Sequence, residues 1–319
     1  MASRDMTAVP GGAAGPPRLA ATSARHGEKA IFGLLAVCAF LSVAVTTAIV
    51  VSLLMPTIEF FGDVAITDFL FGTEFTPLFA DGSFGVLPIV AGTFAVTFWA
   101  LVVAVPVGIG SAIYLSEYAS RRARSVLKPT LEVLAGIPTI AFGFFALTFI
   151  TPLIQDVWPG FLGDKPGIFS ALAAGIAVGI MIVPIIASIS EDAMRAVPGG
   201  LREGAYALGA TRMRVALRVV VPAALSGIVA SVVLGISRAV GETMIVLIAA
   251  GATPNLTFNP VESIQAMTAF IGTTATGDVP TGGTKYNTIF AVGTLLFVIT
   301  FLMNMIAIRL VRRFREVYE

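Results

Sequence analysis

The chain has 319 residues, 56% of them hydrophobic and 12% charged, with a formal net charge of +1. A soluble domain carries about twice that charged fraction, and the apolar runs here reach the roughly 20 residues that cross a bilayer. The composition excludes a soluble globular enzyme and identifies an integral membrane protein. A net charge near zero carries no signal for nucleic acid, and none is expected as a partner. The one cysteine, Cys38, forbids an intrachain disulfide, and with His26 the only histidine a His/Cys metal site is ruled out.

Residues 1–29, rich in Ala, Gly and Pro, read as a disordered tail. They do not read as a classical signal peptide, because the apolar run from Ala30 is too long for a signal core and lacks a clear cleavage site, and that run is expected to be a retained first membrane helix. Six membrane helices then account for the length: Ala30–Leu54, ending before Pro56; a second within Leu87–Tyr114, closed by Glu117; Leu127–Ile150; Ile168–Ile189; Ala223–Ala249; and Thr288–Leu310. The charge-free stretch Gly82–Ser116 would be about 52 Å long as one helix at about 1.5 Å per residue. That exceeds a bilayer core, so part of it lies outside or bends, with Pro88 and Pro106 beside Gly108 and Gly110 as the expected breaks.

Cations set the topology. Arg4, Arg18, Arg25 and Lys29 lie in the tail; Arg121, Arg122, Arg124 and Lys128 follow the second helix; Arg195, Arg202, Arg212, Arg214 and Arg218 follow the fourth; Arg309, Arg312, Arg313 and Arg315 close the chain. With six alternating helices these fall on one side, and only Lys165 and Lys285 fall opposite. The positive-inside rule places both termini in the cytoplasm. The outward segments 55–86, 151–167 and 250–287 carry nine acids, among them Glu59, Asp63, Asp156, Glu262 and Asp278, and make a negative outer face. The glycine-rich third segment is expected to be an irregular loop.

The 190–222 loop is the most informative stretch. Ser190-Glu191-Asp192 is expected to cap a short helix stopped by Pro198, with Gly199-Gly200 as a hinge. A second short helix over Leu201–Leu208 places Leu201, Ala205 and Leu208 on one face. Gly209 supplies a left-handed turn, and Thr211 caps the helix that leads through Arg214 and Arg218 into the fifth span. The product is a short polar helix across the cytoplasmic surface, with small residues Gly204 and Ala205 that permit close approach of a partner. The alternative is an ordinary basic loop. No Gly-x4-Gly-Lys-Ser/Thr phosphate cradle occurs, so any ATP is hydrolysed by a separate subunit, and the chain is expected to bind no cofactor.

Arg238 and Glu242 lie in one apolar segment at i, i+4 spacing. An arginine near a membrane centre costs about 2.5–3.5 kcal/mol on insertion scales and usually faces a bundle interior or a wet cavity. Arg238, Glu242 and the adjoining Thr243 are the candidate substrate pathway, with Glu242 holding Arg238 against an anion; the alternative is a mutually neutralised structural pair. Glu132 is expected to form an interfacial pair with Lys128, four residues earlier. Asn304 is expected to hydrogen-bond between helices. Pro138, Pro152 and Pro184 mark kinks or ends, and Phe142, Phe144 and Phe145 face lipid or a packing neighbour.

Glu203-Gly204-Ala205, Gly209, Val219 and Val221-Pro222 fit the Glu-Ala-Ala loop of ABC importer permeases, with Gly204 in place of the middle alanine and valines in place of Ile and Leu. The segments Ile113–Tyr118, Leu134–Thr139, Phe142–Phe149 and Arg238–Met244 resemble the permeases of the bacterial phosphate-specific transporter. Glu242-Thr243-Met244 and Arg312-Arg313-Phe314-Arg315-Glu316 resemble its PstC type. The likeness covers residues 30–319. It implies an all-α, type I (MetI-like) fold, with a first helix and external segment over 30–85, a transmembrane domain over 86–310 and a cytoplasmic C-terminal tail over 311–319. It also implies two ATPase subunits, a second, PstA-like permease and an extracytoplasmic phosphate-binding protein. Glu203, Gly204, Ala205, Leu208 and Gly209 would couple to the ATPase, and Arg238 and Glu242 would line the phosphate path. Permeases for molybdate or sulfate, a self-sufficient channel or carrier, and a sensing scaffold remain as alternatives.

Overall fold

A computed structural model of the chain describes residues 26–313. Arg4, Arg18, Arg25, Arg315 and Glu316 lie outside the described residues. The chain divides into two units, Met1–Val51 and Ser52–Glu319. Fourteen α-helices are described: α1 His26–Asp63, α2 Ile66–Phe71, α3 Leu87–Ile113, α4 Arg121–Ala135, α5 Thr139–Phe145, α6 Thr151–Val157, α7 Ala171–Ala196, α8 Gly199–Ala207, α9 Arg212–Val215, α10 Val221–Ala223, α11 Leu225–Val240, α12 Met244–Ala249, α13 Met267–Thr276 and α14 Thr284–Arg313. Wider π turns follow α3, α5 and α9, at Tyr114–Tyr118, Ala146–Ile150 and Ala216–Val220.

Five helical stretches among the described residues are long and apolar enough to cross a membrane, and the pair Arg212–Ala223 and Leu225–Val240, bent by 73°, makes six if it is counted as one span. Counted that way the number agrees with the six expected from the sequence, but several boundaries do not. The first helix starts at His26 and passes through Pro56 to Asp63. Pro106 does not break α3, which is continuous from Leu87 and keeps Pro88 in its first turn. Its surplus length is shed outside instead, where Phe75 and Phe84 pair across a short turn before the helix begins.

The third span is the larger correction. It runs from Thr139 to Val157, whereas Leu127–Ala135 belongs to the separate helix α4, which ends at Gly136 and Pro138. The physical cause is the alternation of cationic and apolar residues from Arg121 onward. That pattern makes a surface helix, which lies at an interface and does not cross the bilayer. The expected loop over 250–287 is also partly ordered, since Met267–Thr276 folds as α13, with Met267, Thr268, Ala269 and Phe270 buried.

Within the first unit, the described part of α1 is apolar with exposed side chains, a surface suited to lipid. Within the second, the centre is α3 packed on α7. A Cβ on Gly175 would stand 2.5 Å from the Trp99 Cβ, and one on Gly179 2.8 Å from the Ala100 carbonyl oxygen. Ala100, Ala104, Ala174 and Ala177 are fully buried in the same seam. In lipid, helices associate by such close backbone approach more than by hydrophobic expulsion. A second cluster at the outer end gathers Phe60, Phe69, Phe75 and Phe270 edge to face. There Thr284 donates to Asp63 (2.6 Å) and Lys285 to the carbonyls of Leu78 and Phe79 (3.3 and 2.7 Å). A third cluster, with Ala112, Met194, Val215 and Val220, seats α9 under the cytoplasmic ends of α3 and α7.

Candidate functional site

The expected fifth helix is not continuous. It breaks at Ala224 and again at Gly241–Thr243, between α11 and α12. Irregular backbone at membrane depth is tolerated only where it is buried in protein or lines a cavity, and here its polar groups are satisfied by side chains. Glu242 Oε1 accepts from the amides of Met244 (3.1 Å) and Ile245 (3.3 Å), which caps the start of α12. The Glu242 carbonyl accepts from the Thr268 hydroxyl at 2.7 Å. The neighbouring α13 is tied in turn to α3, since the Met267 amide donates to Thr93 Oγ1 at 3.0 Å.

The other Glu242 oxygen, Oε2, accepts from Arg238 Nη1 at 2.9 Å. The two side chains differ sharply in exposure, 41% for Arg238 and 2% for Glu242. Arg238 Nη2 lies 3.6 Å from the Met181 sulfur on α7, a weak acceptor. Of the five guanidinium donors, most are therefore left facing outward from the chain's own core. Thr243 is partly exposed beside the break, its hydroxyl 3.4 Å from the Gly241 carbonyl. One position before Arg238, Ser237 donates to Asn304 Oδ1 at 2.8 Å, the expected interhelical bond. Both line a groove of about 830 Å³ whose α11 wall combines the small residues Ser226, Gly227 and Ala230 with Val233 and Leu234.

At the cytoplasmic end, α8 spans Gly199–Ala207 and Gly209 takes φ +77°, the left-handed turn that the sequence requires. Thr211 accepts from the Arg214 amide and caps α9. The hinge glycines are instead the first turn of α8, which starts directly after Pro198. A Cβ on Gly204 would meet nothing within 4 Å. Glu203 and Leu201 are exposed, Ala205 is half-buried and Leu208 is 90% exposed.

Ser190-Glu191-Asp192 does not start a new helix; it continues α7 to Ala196. The reason is lateral. Ser190 bonds Ser231 on α11 at 2.7 Å, and Glu191, fully buried, sits among Lys128 Nζ (2.8 Å), Arg124 Nε (3.4 Å) and Arg195 Nη1 (3.6 Å). Lys128 also bonds Asp192 at 2.5 Å, so the expected Lys128–Glu132 pair is replaced by one that ties α4 to α7. Burial depresses the Lys128 ammonium most, but its hydrogen bonds to Asp192 and Glu191 and their charges together raise its pKa above the usual lysine value.

Sequence reasoning counted Arg202 only as a cation. In the structure it donates to the carbonyls of Val197 (2.7 Å) and Met194 (2.7 Å) at the end of α7 and to Glu117 (3.0 Å) after α3. It thereby fastens α8 to two spans. The signal available was its place at the first turn after Pro198; its partner 85 residues away was not readable.

The chain matches the family model described as binding-protein-dependent transport system inner membrane component over residues 104–316. Among curated proteins, it is 38% identical over 267 residues to a probable ABC transporter permease protein, YqgH, of Bacillus subtilis, covering 83% of this chain and 84% of that one. It is 38% identical to the phosphate transport system permease protein PstC of Mesorhizobium japonicum, covering 70% and 72%, and 38% identical to PstC 1 of Mycobacterium tuberculosis, covering 72% and 73%. Among solved structures, a chain of a bacterial alginate ABC transporter superposes with a TM-score of 0.64 at 16% identity, covering 90% and 95%. One of the MetNI methionine ABC transporter, in an inward facing conformation, gives 0.51 at 23%, covering 73% and 95%. These two likenesses are of fold.

Proposed function

Because the chain belongs to the binding-protein-dependent transport system inner membrane components, and among them to the PstC-type permeases, we propose that it forms half of the translocation pathway of an ATP-driven importer of inorganic phosphate. It is a multi-pass subunit of the cytoplasmic membrane, and ATP hydrolysis lies on a separate subunit. In this reading the chain binds no cofactor. Two ATPase subunits dock on α8, a second, PstA-like permease supplies the other wall, and an extracytoplasmic binding protein delivers the anion.

The observation that carries the substrate is the asymmetry of the Arg238–Glu242 pair. Glu242 is fixed by two amides and accepts one guanidinium donor, so Arg238 is oriented but not consumed. A planar guanidinium with donors to spare suits a tetrahedral oxyanion, which it can engage with two parallel hydrogen bonds. Its exposure on the outside of this chain is what a pathway walled by two subunits requires. At the other end, a push on Leu208 and Gly204 would pass through Arg202 to the ends of α7 and α3. From α7 it reaches α11, which carries Arg238.

Uptake of labelled phosphate into vesicles holding the complete transporter is the test. Uptake is expected only with both the binding protein and internal ATP. Arg238→Ala is expected to reduce it to background while the ATPase subunits still co-purify. Full uptake by that variant, or uptake without the binding protein at an equal rate, overturns the proposal. Competition by equimolar sulfate or molybdate would move the reading to another oxyanion.

A further inference from the structure

Helix α4 carries two grooves on opposite sides. One is cationic, about 440 Å³, lined by Arg121, Arg124, Ser125, Lys128 and Glu132 of α4 and by Arg195 of α7. The other is apolar, about 600 Å³, between Val107, Gly110 and Tyr114 on the α3 side and Leu127, Leu131 and Leu134 of α4. Within the cationic groove the charges divide into spent and unspent. Arg124 donates to the Leu115 and Ser116 carbonyls and faces Glu191, while Lys128 is shared between Glu191 and Asp192. Arg121 is exposed and has no hydrogen bond or ion pair among the described residues. Arg195 reaches Glu191 only at 3.6 Å and is half exposed. The four cations outnumber Glu132, Glu191 and Asp192, so the groove keeps a positive excess with two guanidinium groups open to a ligand.

We propose that this groove is a binding site for the headgroup of an anionic phospholipid of the cytoplasmic leaflet, with Arg121 and Arg195 on the phosphodiester. Three observations favour a lipid over a soluble anion. The groove lies at the cytoplasmic ends of α3 and α7, where the leaflet surface is negative. Helix α4 has no buried residue and exposes Val126 and Val133 beside its cations, the pattern of a helix lying in the bilayer interface. The apolar groove on its other side, between α3 and Leu127, Leu131 and Leu134, is a surface suited to acyl chains and keeps α4 itself at that boundary. A bound lipid would hold α4 against the end of α7, one loop upstream of α8.

Native mass spectrometry tests this on the purified full transporter exchanged into nanodiscs of equal parts phosphatidylglycerol and phosphatidylethanolamine. Preferential retention of phosphatidylglycerol is expected. Its loss should be about fivefold for each cation removed, and about thirtyfold for Arg121→Gln with Arg195→Gln. Arg122→Gln, an exposed neighbour outside the groove, should change nothing, and Arg121→Lys with Arg195→Lys should keep most of the preference. Should the glutamine pair fail to fold, the lysine pair and the wild-type preference decide the matter. Equal retention of the two lipids by wild type, an unchanged preference in the glutamine pair, or displacement of the lipid by millimolar inorganic phosphate would each overturn the assignment.

Discussion

Glu191 and Glu242 are both buried carboxylates, 0% and 2% exposed, and they are held in opposite ways. Glu191 sits within an unbroken helix among three cations, two of them on α4 and one a turn further along α7. Glu242 sits in a gap between helices, with two backbone amides and a single arginine. Surplus partners make a joint: Arg124 and Lys128 are taken up by Glu191, Asp192 and backbone carbonyls, which fixes α4 to α7, and only Arg195, 3.6 Å away and half exposed, keeps donors to spare. At Glu242 the amides carry much of the carboxylate's hydrogen bonding, so the one cation remains largely available. A buried acid is thus a structural rivet where cations crowd it, and a holder of a functional cation where the backbone does its share.

The largest effect should come from breaking the sparse site. Glu242→Ala removes the cap of α12 and the only anionic partner of Arg238 among the described residues together. Breaking a fully buried pair costs about 3–5 kcal/mol; Arg238 is 41% exposed, so water screens part of that loss, and thermal melting of the purified transporter should drop clearly but by less than that range, while uptake should vanish. Glu242→Gln keeps an oxygen for the two amides and loses the charge. It should melt closer to wild type, within about 1.5–3 kcal/mol, and still fail to transport. Wild-type melting of the alanine variant would show that the break is held by something other than this carboxylate.

Arg202→Ala comes next. It removes two carbonyl contacts and the Glu117 pair, each a charge-assisted bond, at a part-buried site where water can enter the space left and replace part of them. The fold should survive, and the ATPase subunits should still bind through the exposed residues of α8. The expected change is a loss of coupling, about tenfold or more in phosphate moved per ATP hydrolysed. An unchanged ratio would remove Arg202 from the path between α8 and the spans.

Much of the layout was readable in the residues. Apolar runs give the membrane-length helices, and the Glu203–Gly209 pattern with Thr211 gives α8, its left-handed exit and the cap of the next helix. The failures share one cause. Leu127–Ala135 is apolar enough to be taken for membrane, but whether Lys128 turns to Glu132 or to a helix 63 residues away is a tertiary matter. The same holds for Ser190–Asp192, whose polar side chains look like a start signal until Ser231, Arg124 and Lys128 are placed beside them. Likewise the i, i+4 spacing of Arg238 and Glu242 suggests an unbroken helix. The break at Gly241 becomes acceptable only because Thr268 and Glu242 itself satisfy the freed backbone, and Thr268 comes from a segment that reads as loop.

Redundancy around Glu191 predicts small effects from its cations taken singly. Arg195→Ala, with the arginine half exposed, should cost no more than about 0–1 kcal/mol in melting, and Lys128→Met somewhat more, because it ties α4 to two acids. The pH dependence of the Lys128 contribution isolates it. Its folded pKa is raised above the unfolded value, so the stabilisation is fully present below the unfolded pKa of about 10.4 and is lost as pH rises through the folded one. The difference in melting temperature between wild type and Lys128→Met should therefore stay flat from neutral pH to about pH 10 and shrink above it. A difference that grew with alkalinity would mean that burial, not the acids, governs this lysine, and that α4 is held to α7 by something other than the Glu191 cluster.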